Sequence, residues 1–431
     1  MRARLSTVRF AGVVAGVLAS SAHGAGFYIQ EQSVQALGRA YSGEAASTDV
    51  DALWWNPASI AGLDHNEFYS GLQTIQVHGN VTNFGSTIQY PGLPPLPISG
   101  NQRVHDPVPN GFVPNFDAAM RINDQWSVGL AVSAPFDFVS KYTGQDWPRY
   151  EAMTSRLTNI DLQPTVAWKP LPWLGLAVGF DAQYVNAYLT SALPNLAPIF
   201  PDGSETLQGH GWDYGYVLGA QVAPVSNFTF GASYRSSIAH HLGGTVNIAG
   251  LLGPASTANI LTGAQARFST PWIFTAGARW RVNPRLTLDG QVQRLGWSEF
   301  SAISVAFDGQ SAVMPENYRD TTDEAIGLDY NLTSRLTMRA GIEHDPTPTP
   351  DIGRDPRVPD GNRWLYALGA SYRANRAMTF DFGAGYYQFQ RSRIDNTTVD
   401  FAGTPLATPV SLMGEITGAG LVLSVGVRAT F

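Results

Sequence analysis

Two nested alternations constrain this chain more than any other feature. From Glu67 onward, apolar residues occupy every second position within short segments. Between segments, the connections themselves alternate between short and long. In the last segment Leu421, Leu423, Val425, Val427, Ala429 and Phe431 share one face, while Val422, Ser424, Gly426, Arg428 and Thr430 share the other. Successive strand side chains point to opposite faces, so a period of two is a strand signature. The same pattern runs through 174–183, 272–281, 364–373 and 378–386. The reading gives fourteen strands, centred near 67–80, 112–122, 126–136, 150–169, 172–190, 211–224, 227–247, 264–281, 284–299, 320–332, 335–345, 363–374, 377–391 and 419–431. Short connections fall at 123–125, 170–171, 224–226, 282–284, 333–334 and 374–376. Long ones fall near 81–111, 137–149, 191–210, 248–263, 300–319, 346–362 and 392–418. An even number of strands, with turns at one end and loops at the other, describes an antiparallel transmembrane barrel. Closure also removes the unpaired edge that lipid cannot satisfy.

Composition separates this reading from its rivals. Charged residues make up 14% of the chain, against about 25% in a typical soluble domain. No uninterrupted apolar run reaches the roughly 18 residues that a membrane helix needs. With no Cys among 431 residues, disulfide scaffolds, zinc fingers and thiol nucleophiles are excluded. A soluble β-sandwich would alternate as well. Here, however, aromatic residues gather near segment ends on the apolar face, as in an interfacial girdle. The opposite face carries Arg, Asp, Gln and Gly, which reads as a wet lumen.

Residues 1–24 read as a secretory leader: Arg2, Arg4 and Arg9, an apolar stretch from Phe10 to Ala19, then Ala22-His23-Gly24 before the cut. Its removal leaves 24 basic against 34 acidic residues, so the net charge moves from −7 to −10. An acidic chain of this kind is not expected to bind nucleic acid. There is no Gly-x-Ser-x-Gly elbow and no phosphate-binding loop. His240-His241 lacks a carboxylate at ligand spacing. The expectation is a non-enzyme without metal or cofactor.

Residues 25–66 do not alternate. They read as short helices and turns ahead of the first strand, a segment that begins at the periplasmic end and folds into the bore. A barrel of about fourteen strands is wide enough to leak if left empty, so a plug is physically sensible. The division expected is therefore leader 1–24, plug or hatch 25–66 and barrel 67–431. The Ala25-Gly26-Phe27 start, the stretch Gly38-Arg39-Ala40-Tyr41-Ser42-Gly43-Glu44 and the triplet Asn56-Pro57-Ala58 resemble the FadL family of outer-membrane long-chain fatty-acid transporters, which includes toluene and xylene channels. Asp146-Trp147-Pro148-Arg149-Tyr150 is similar to that family's Trp-x-Gly-Arg-Tyr element but lacks the Gly, and Phe431 matches the usual C-terminal insertion signal. The resemblance implies a monomeric 14-stranded antiparallel outer-membrane β-barrel plugged by an N-terminal helical hatch, in a Gram-negative cell. It implies passive transport of hydrophobic molecules, with long-chain fatty acids ahead of aromatic hydrocarbons. The partners would be those ligands together with outer-membrane lipids and lipopolysaccharide. It further implies a ligand site beside the mature N-terminus and lateral release near a kink in the third strand. A general porin, an adhesin and an outer-membrane lipid hydrolase are the rival readings.

On that basis Ala25, Gly26 and Phe27 are expected at the N-terminal ligand region, with Asn56, Pro57 and Ala58 holding the hatch. The connections near 191–210 and 248–263 are unusually apolar for outer loops. Leu193, Leu196, Ile199, Phe200, Leu251, Leu252, Ile260 and Leu261 are candidates for a hydrophobic uptake surface or a packed lid. Pro135 cannot donate to a strand ladder and marks either the end of the third strand or a lateral gate. Lumenal Arg279, Arg339, Arg373 and Arg428 are expected to brace the barrel against Asp181, Asp289, Glu343 and Asp381.

Overall fold

The computed structural model describes residues 25–431, so the expected leader lies outside the described residues. Fourteen strands form one closed antiparallel barrel. They are β1 Glu67–Asn83, β2 Gly111–Arg121, β3 Trp126–Ser133 resumed as Phe138–Lys141, β4 Thr154–Leu171, β5 Leu174–Leu193, β6 Gly203–Val225 and β7 Phe228–Arg235 with Ile238–Ala249. β8 is Ile260–Thr270 with Trp272–Arg281, β9 Leu286–Gly296 with Ala302–Phe307, and β10 Gln310–Pro315 with Thr321–Asn331. β11 is Leu336–Asp345, β12 Arg363–Arg373, β13 Met378–Phe389 with Ser392–Asp400, and β14 Thr408–Thr430. β14 closes on β1 in a continuous ladder from Glu67–Thr430 to Asn83–Gly414.

The outward residues are those the alternation predicts: Leu421, Leu423 and Val425 are exposed, while Val422 and Ser424 are buried. Exposed aromatics mark the turn end, where Trp126 stacks on Trp168 at 5.6 Å. No described helix is long and apolar enough to cross a membrane; the strands do the crossing.

The long connections are shorter than the sequence predicts. β6 absorbs 203–210, β8 takes in Ile260 and Leu261, and β14 starts at Thr408. The connection near 300–319 carries the hairpin of Ala302–Phe307 with Gln310–Pro315. Ladders continue beyond the apolar band because two neighbouring strands that both outgrow it can still satisfy each other's backbone groups.

Residues from Ala25 to Ile60 sit inside the barrel, all buried except Thr48 and Asp49. Helix α1, Val34–Gly38, starts where the Ser33 side chain accepts the Ala36 N–H at 3.1 Å, a standard N-cap. It ends in two consecutive left-handed residues, Ala40 (φ 51°) and Tyr41 (φ 58°). Such geometry costs about 1–3 kcal/mol per residue. It is held by the Tyr41 N–H on the Ala36 carbonyl at 2.7 Å and by Tyr41 stacked on Trp55 at 5.6 Å. The barrel wall facing this segment is paved with glycine. A Cβ on Gly341 would meet the Arg39 carbonyl oxygen at 2.1 Å, and one on Gly369 would meet the Gly38 Cα at 2.6 Å.

Candidate functional site

A cavity on the loop side of the buried N-terminal segment collects the candidate ligand chemistry. Phe27 forms its floor within an aromatic nest, with ring centroids 4.9 Å from Trp297, 5.0 Å from Phe300 and 6.0 Å from Phe136. Gly26 takes φ +67° and donates its N–H to Asp360 Oδ2 at 2.9 Å, fixing the start of the segment. The walls include Phe138, Leu157, Leu189, Leu242, Ala266 and Phe268, enclosing about 740 Å³ of unfilled volume including the mouth.

An apolar lining here corrects the expectation of a uniformly wet lumen. Two strand breaks cause it. In β7 the inward residues below Ser236-Ser237 are Ser233 and Arg235; above the break they are Ile238, His240 and Leu242. In β8 they are Ile273 and Thr275 below Pro271, and Ala264, Ala266 and Phe268 above it. A shift of one residue turns every side chain to the opposite face, so each break sends an apolar row inward. Reading 227–247 and 264–281 as unbroken strands concealed this, although Pro271 was the visible signal.

One end of the cavity is polar. Glu316, Asp355 and Arg357 line it. Arg357 pairs with Asp355, and its Nε is buried without a hydrogen-bond partner. Burial, with Asp355 close by, pushes the Glu316 carboxyl well above the usual carboxylate range. Behind this end Glu151 accepts from Asn396 Nδ2 at 3.2 Å and is pushed up to about 7 by burial and the nearby Asp355.

The N-terminal segment also bonds to the break in β3. Tyr28 and Phe136 form an isolated antiparallel bridge. The Pro135 carbonyl accepts the Ile29 N–H at 2.8 Å, and the Asp137 N–H reaches the Phe27 carbonyl at 3.1 Å. The β2–β3 ladder stops at Phe116–Val132, so 111–115 of β2 pair with β1 alone. Pro135 thus lies in an inward fold of β3 that is tied to Phe27.

Asn56 caps the turn Pro57–Ile60 by accepting the Ala58 N–H at 2.9 Å. Its Nδ2 donates to the Ala45 carbonyl at 2.6 Å and the Ala220 carbonyl at 3.1 Å, linking the segment to β6. The eight apolar loop residues do not form one surface, and only three of them pack together. Leu193 and Leu251 are buried in a small cluster against which Leu196 packs. Phe200 lines a separate outer-loop cavity of about 1,320 Å³ with Tyr90, Ile98 and Met153. Ile199, Leu252 and Leu261 are exposed, and Ile260 is half-buried. Beside Phe200, Arg149 lies 4.4 Å over the Tyr150 ring and pairs with Asp202 at 3.0 Å.

Two of the expected lumenal arginines pair within the expected set and the others do not. Arg279 meets Asp289 at 3.3 Å and Arg428 meets Asp381 at 3.0 Å. The partner of Asp181 is Arg235, at 2.5 Å. Arg339 pairs with Asp329 at 3.1 Å, Arg373 is exposed at the turn end, and Glu343 has no ion pair within salt-bridge distance among the described residues. His240 and His241 both face Asp213. Among the described residues no cluster of three or more His, Asp or Glu could hold a metal ion.

A closed barrel with an internal N-terminal segment and an apolar chamber above it defines the class: a transmembrane β-barrel of the outer-membrane transport type. The chain belongs to the outer membrane protein transport family described as OMPP1/FadL/TodX, whose model matches residues 15–431. It is 24% identical over 419 residues to the long-chain fatty acid transport protein of Salmonella typhi, covering 90% of this chain and 93% of that one. It is 25% identical over 406 residues to outer membrane protein P1 of Haemophilus influenzae, covering 85% and 87%. In fold it is similar to a Pseudomonas aeruginosa FadL homologue, with a TM-score of 0.83 at 23% identity over 94% of this chain and all of that one. It is also similar to the Ralstonia pickettii toluene transporter TbuX, with a TM-score of 0.65 at 18% identity over 92% and 97%.

Proposed function

We propose that this protein carries long-chain fatty acids passively across the outer membrane. The acyl chain occupies the cavity above Phe27, with its carboxylate toward Arg357. The observation that carries this reading is the chamber itself: apolar walls with a partly unsatisfied guanidinium at one end. Each methylene taken from water contributes about 0.8 kcal/mol, so a long tail has a strong preference for such a site. An aromatic hydrocarbon has the tail's apolarity but no use for Arg357. The named relatives in Salmonella typhi and the toluene transporter of similar fold support the two substrate classes respectively.

The route follows from the bonds around Phe27. A ligand that displaces Phe27 parts Tyr28 and Ile29 from Phe136 and Pro135, freeing the break in β3. The opening sits where β2 lacks a β3 partner, facing the lipid. Residues 25–66 then act as the hatch, and Asn56 keeps its lower part seated while the tip moves. In this reading it works as a monomer among outer-membrane lipids and lipopolysaccharide. Uptake of labelled oleate and of labelled toluene is measured in cells lacking the gene, then regaining it as wild type or as Arg357→Met. Wild type restores oleate uptake and Arg357→Met does not, while toluene uptake is indifferent to the substitution. Restoration of neither solute by wild type overturns the assignment.

A further inference from the structure

The opposite mouth of the bore has a chemistry that hydrophobic transport does not use. Below the N-terminal segment lies a cavity of about 2,070 Å³ with a mostly polar wall, opening at the turn end of the barrel. Eight arginines line it against three carboxylates, Asp49, Glu67 and Asp329, in a chain whose net charge is −7. Three of the eight are committed: Arg279 and Arg339 to Asp329 at 2.5 and 3.1 Å, and Arg428 to Asp49 at 2.9 Å. Even so, Arg279 Nη1 is buried with no hydrogen-bond partner. The other five, Arg281, Arg285, Arg335, Arg373 and Arg376, are exposed on the cavity wall and form no ion pair among the described residues. Arg281 donates to the Ser226 carbonyl at 2.7 Å.

Like charges gathered around one concavity raise each other's energy and concentrate counter-ions. The five unpaired arginines belong to β8, to the turns after β8 and β10, to β12 and to the turn after β12. Neighbouring strands are about 4.8 Å apart, so from β8 to β13 the arc is on the order of 24 Å. One phosphate or one fatty-acid carboxylate meets one or two guanidinia and leaves the rest unpaired. A fatty-acid tail would also face a polar wall. An extended peptide advances about 3.3 Å per residue, so roughly seven residues span the arc and turn alternate side chains, up to about four carboxylates, toward the arginines.

We infer that this vestibule is a docking site for an extended acidic peptide segment of a periplasmic protein. The inference does not depend on the fatty-acid assignment. The test uses the full mature protein in detergent and a fluorescein-labelled octapeptide of alternating Glu and Ser, read by fluorescence anisotropy. The octapeptide binds wild type, and its affinity falls as ionic strength rises. A Gln/Ser octapeptide does not bind. The triple variant Arg335→Gln/Arg373→Gln/Arg376→Gln binds the acidic peptide at least about tenfold more weakly, while its oleate uptake matches wild type. Equal affinity in the variant overturns the inference. Displacement of the peptide by inorganic phosphate at comparable concentration shows a simple anion site and also overturns it. Displacement by oleate, or loss of oleate uptake in the variant, assigns the arginines to the transported acid instead.

Discussion

Gly231→Ala tests whether the N-terminal segment really seals the bore. Gly231 lies in β7 with its missing side chain toward the segment. A Cβ there would fall 1.7 Å from the Ala45 carbonyl oxygen and 2.8 Å from the Ala46 nitrogen. Heavy-atom contacts settle near 3.5 Å, so one partner must move by about 1.8 Å. The wall is held by ladders on both sides, to Gln221 of β6 and Gly277 of β8. The segment is held to the wall there by three hydrogen bonds: Ala45 N–H to Gln291 at 3.0 Å, and Gln221 donating to the Ala45 carbonyl at 3.1 Å and the Ser47 carbonyl at 2.6 Å. The segment therefore yields. At about 1 kcal/mol net for each bond, the seat weakens by about 3 kcal/mol, which matches the usual 1–3 kcal/mol of an overpacked interior. That raises the population of unseated molecules by about two orders of magnitude. In planar bilayers the variant should open to ions far more often than wild type, while the barrel keeps its heat-dependent gel mobility. Conductance indistinguishable from wild type would refute the argument that this contact seats a plug.

Two further outcomes follow from the same contacts. The chain has no Cys, so Tyr28→Cys/Phe136→Cys introduces a single disulfide across the bridge between the N-terminal segment and the β3 break. Facing residues of an antiparallel bridge lie within disulfide reach. Oxidised cells should lose oleate uptake and regain it with reductant; uptake unaffected by oxidation would mean that this bridge need not part. Glu151, pushed up to about 7, holds a proton in the folded protein that it loses at about 4.5 when unfolded. Its contribution to stability is thus present at acid pH and lost as pH rises through about 7. Above that value its negative charge joins Asp355, so oleate affinity should fall a few-fold between pH 6 and 8, and Glu151→Gln should flatten the profile.

The barrel was legible because lipid and ladder together impose a strict period of two and an even strand count. Leu421 to Phe431 read correctly on both faces, and Asn283-Pro284 and Thr333-Ser334 read correctly as turns. The chamber was not legible, since it depends on Ser236-Ser237 and Pro271 flipping the faces of two adjacent strands in the same place. Arg235 escaped notice as the partner of Asp161 and Asp181 because pairing across a bore depends on tilt and stagger, which a linear pattern does not contain. Arg357 was unmarked for a similar reason. It lies in a loop between β11 and β12, where no periodicity says which side chains point inward. The apolar loop residues were conspicuous in composition, yet Leu193 and Leu251 cover one another and Leu261 extends a strand.

The central claim is that the apolar chamber above Phe27 is where the ligand binds. Oleate binding to purified wild type and to Ala266→Trp, measured by titration calorimetry, tests it most directly. Ala266 lines the chamber, and an indole there fills the space without touching either the loop surface or the periplasmic arginines. The account predicts tight binding to wild type and at least a tenfold loss in the variant, with heat-dependent gel mobility unchanged. Equal affinity in the two proteins would place the ligand elsewhere and contradict it.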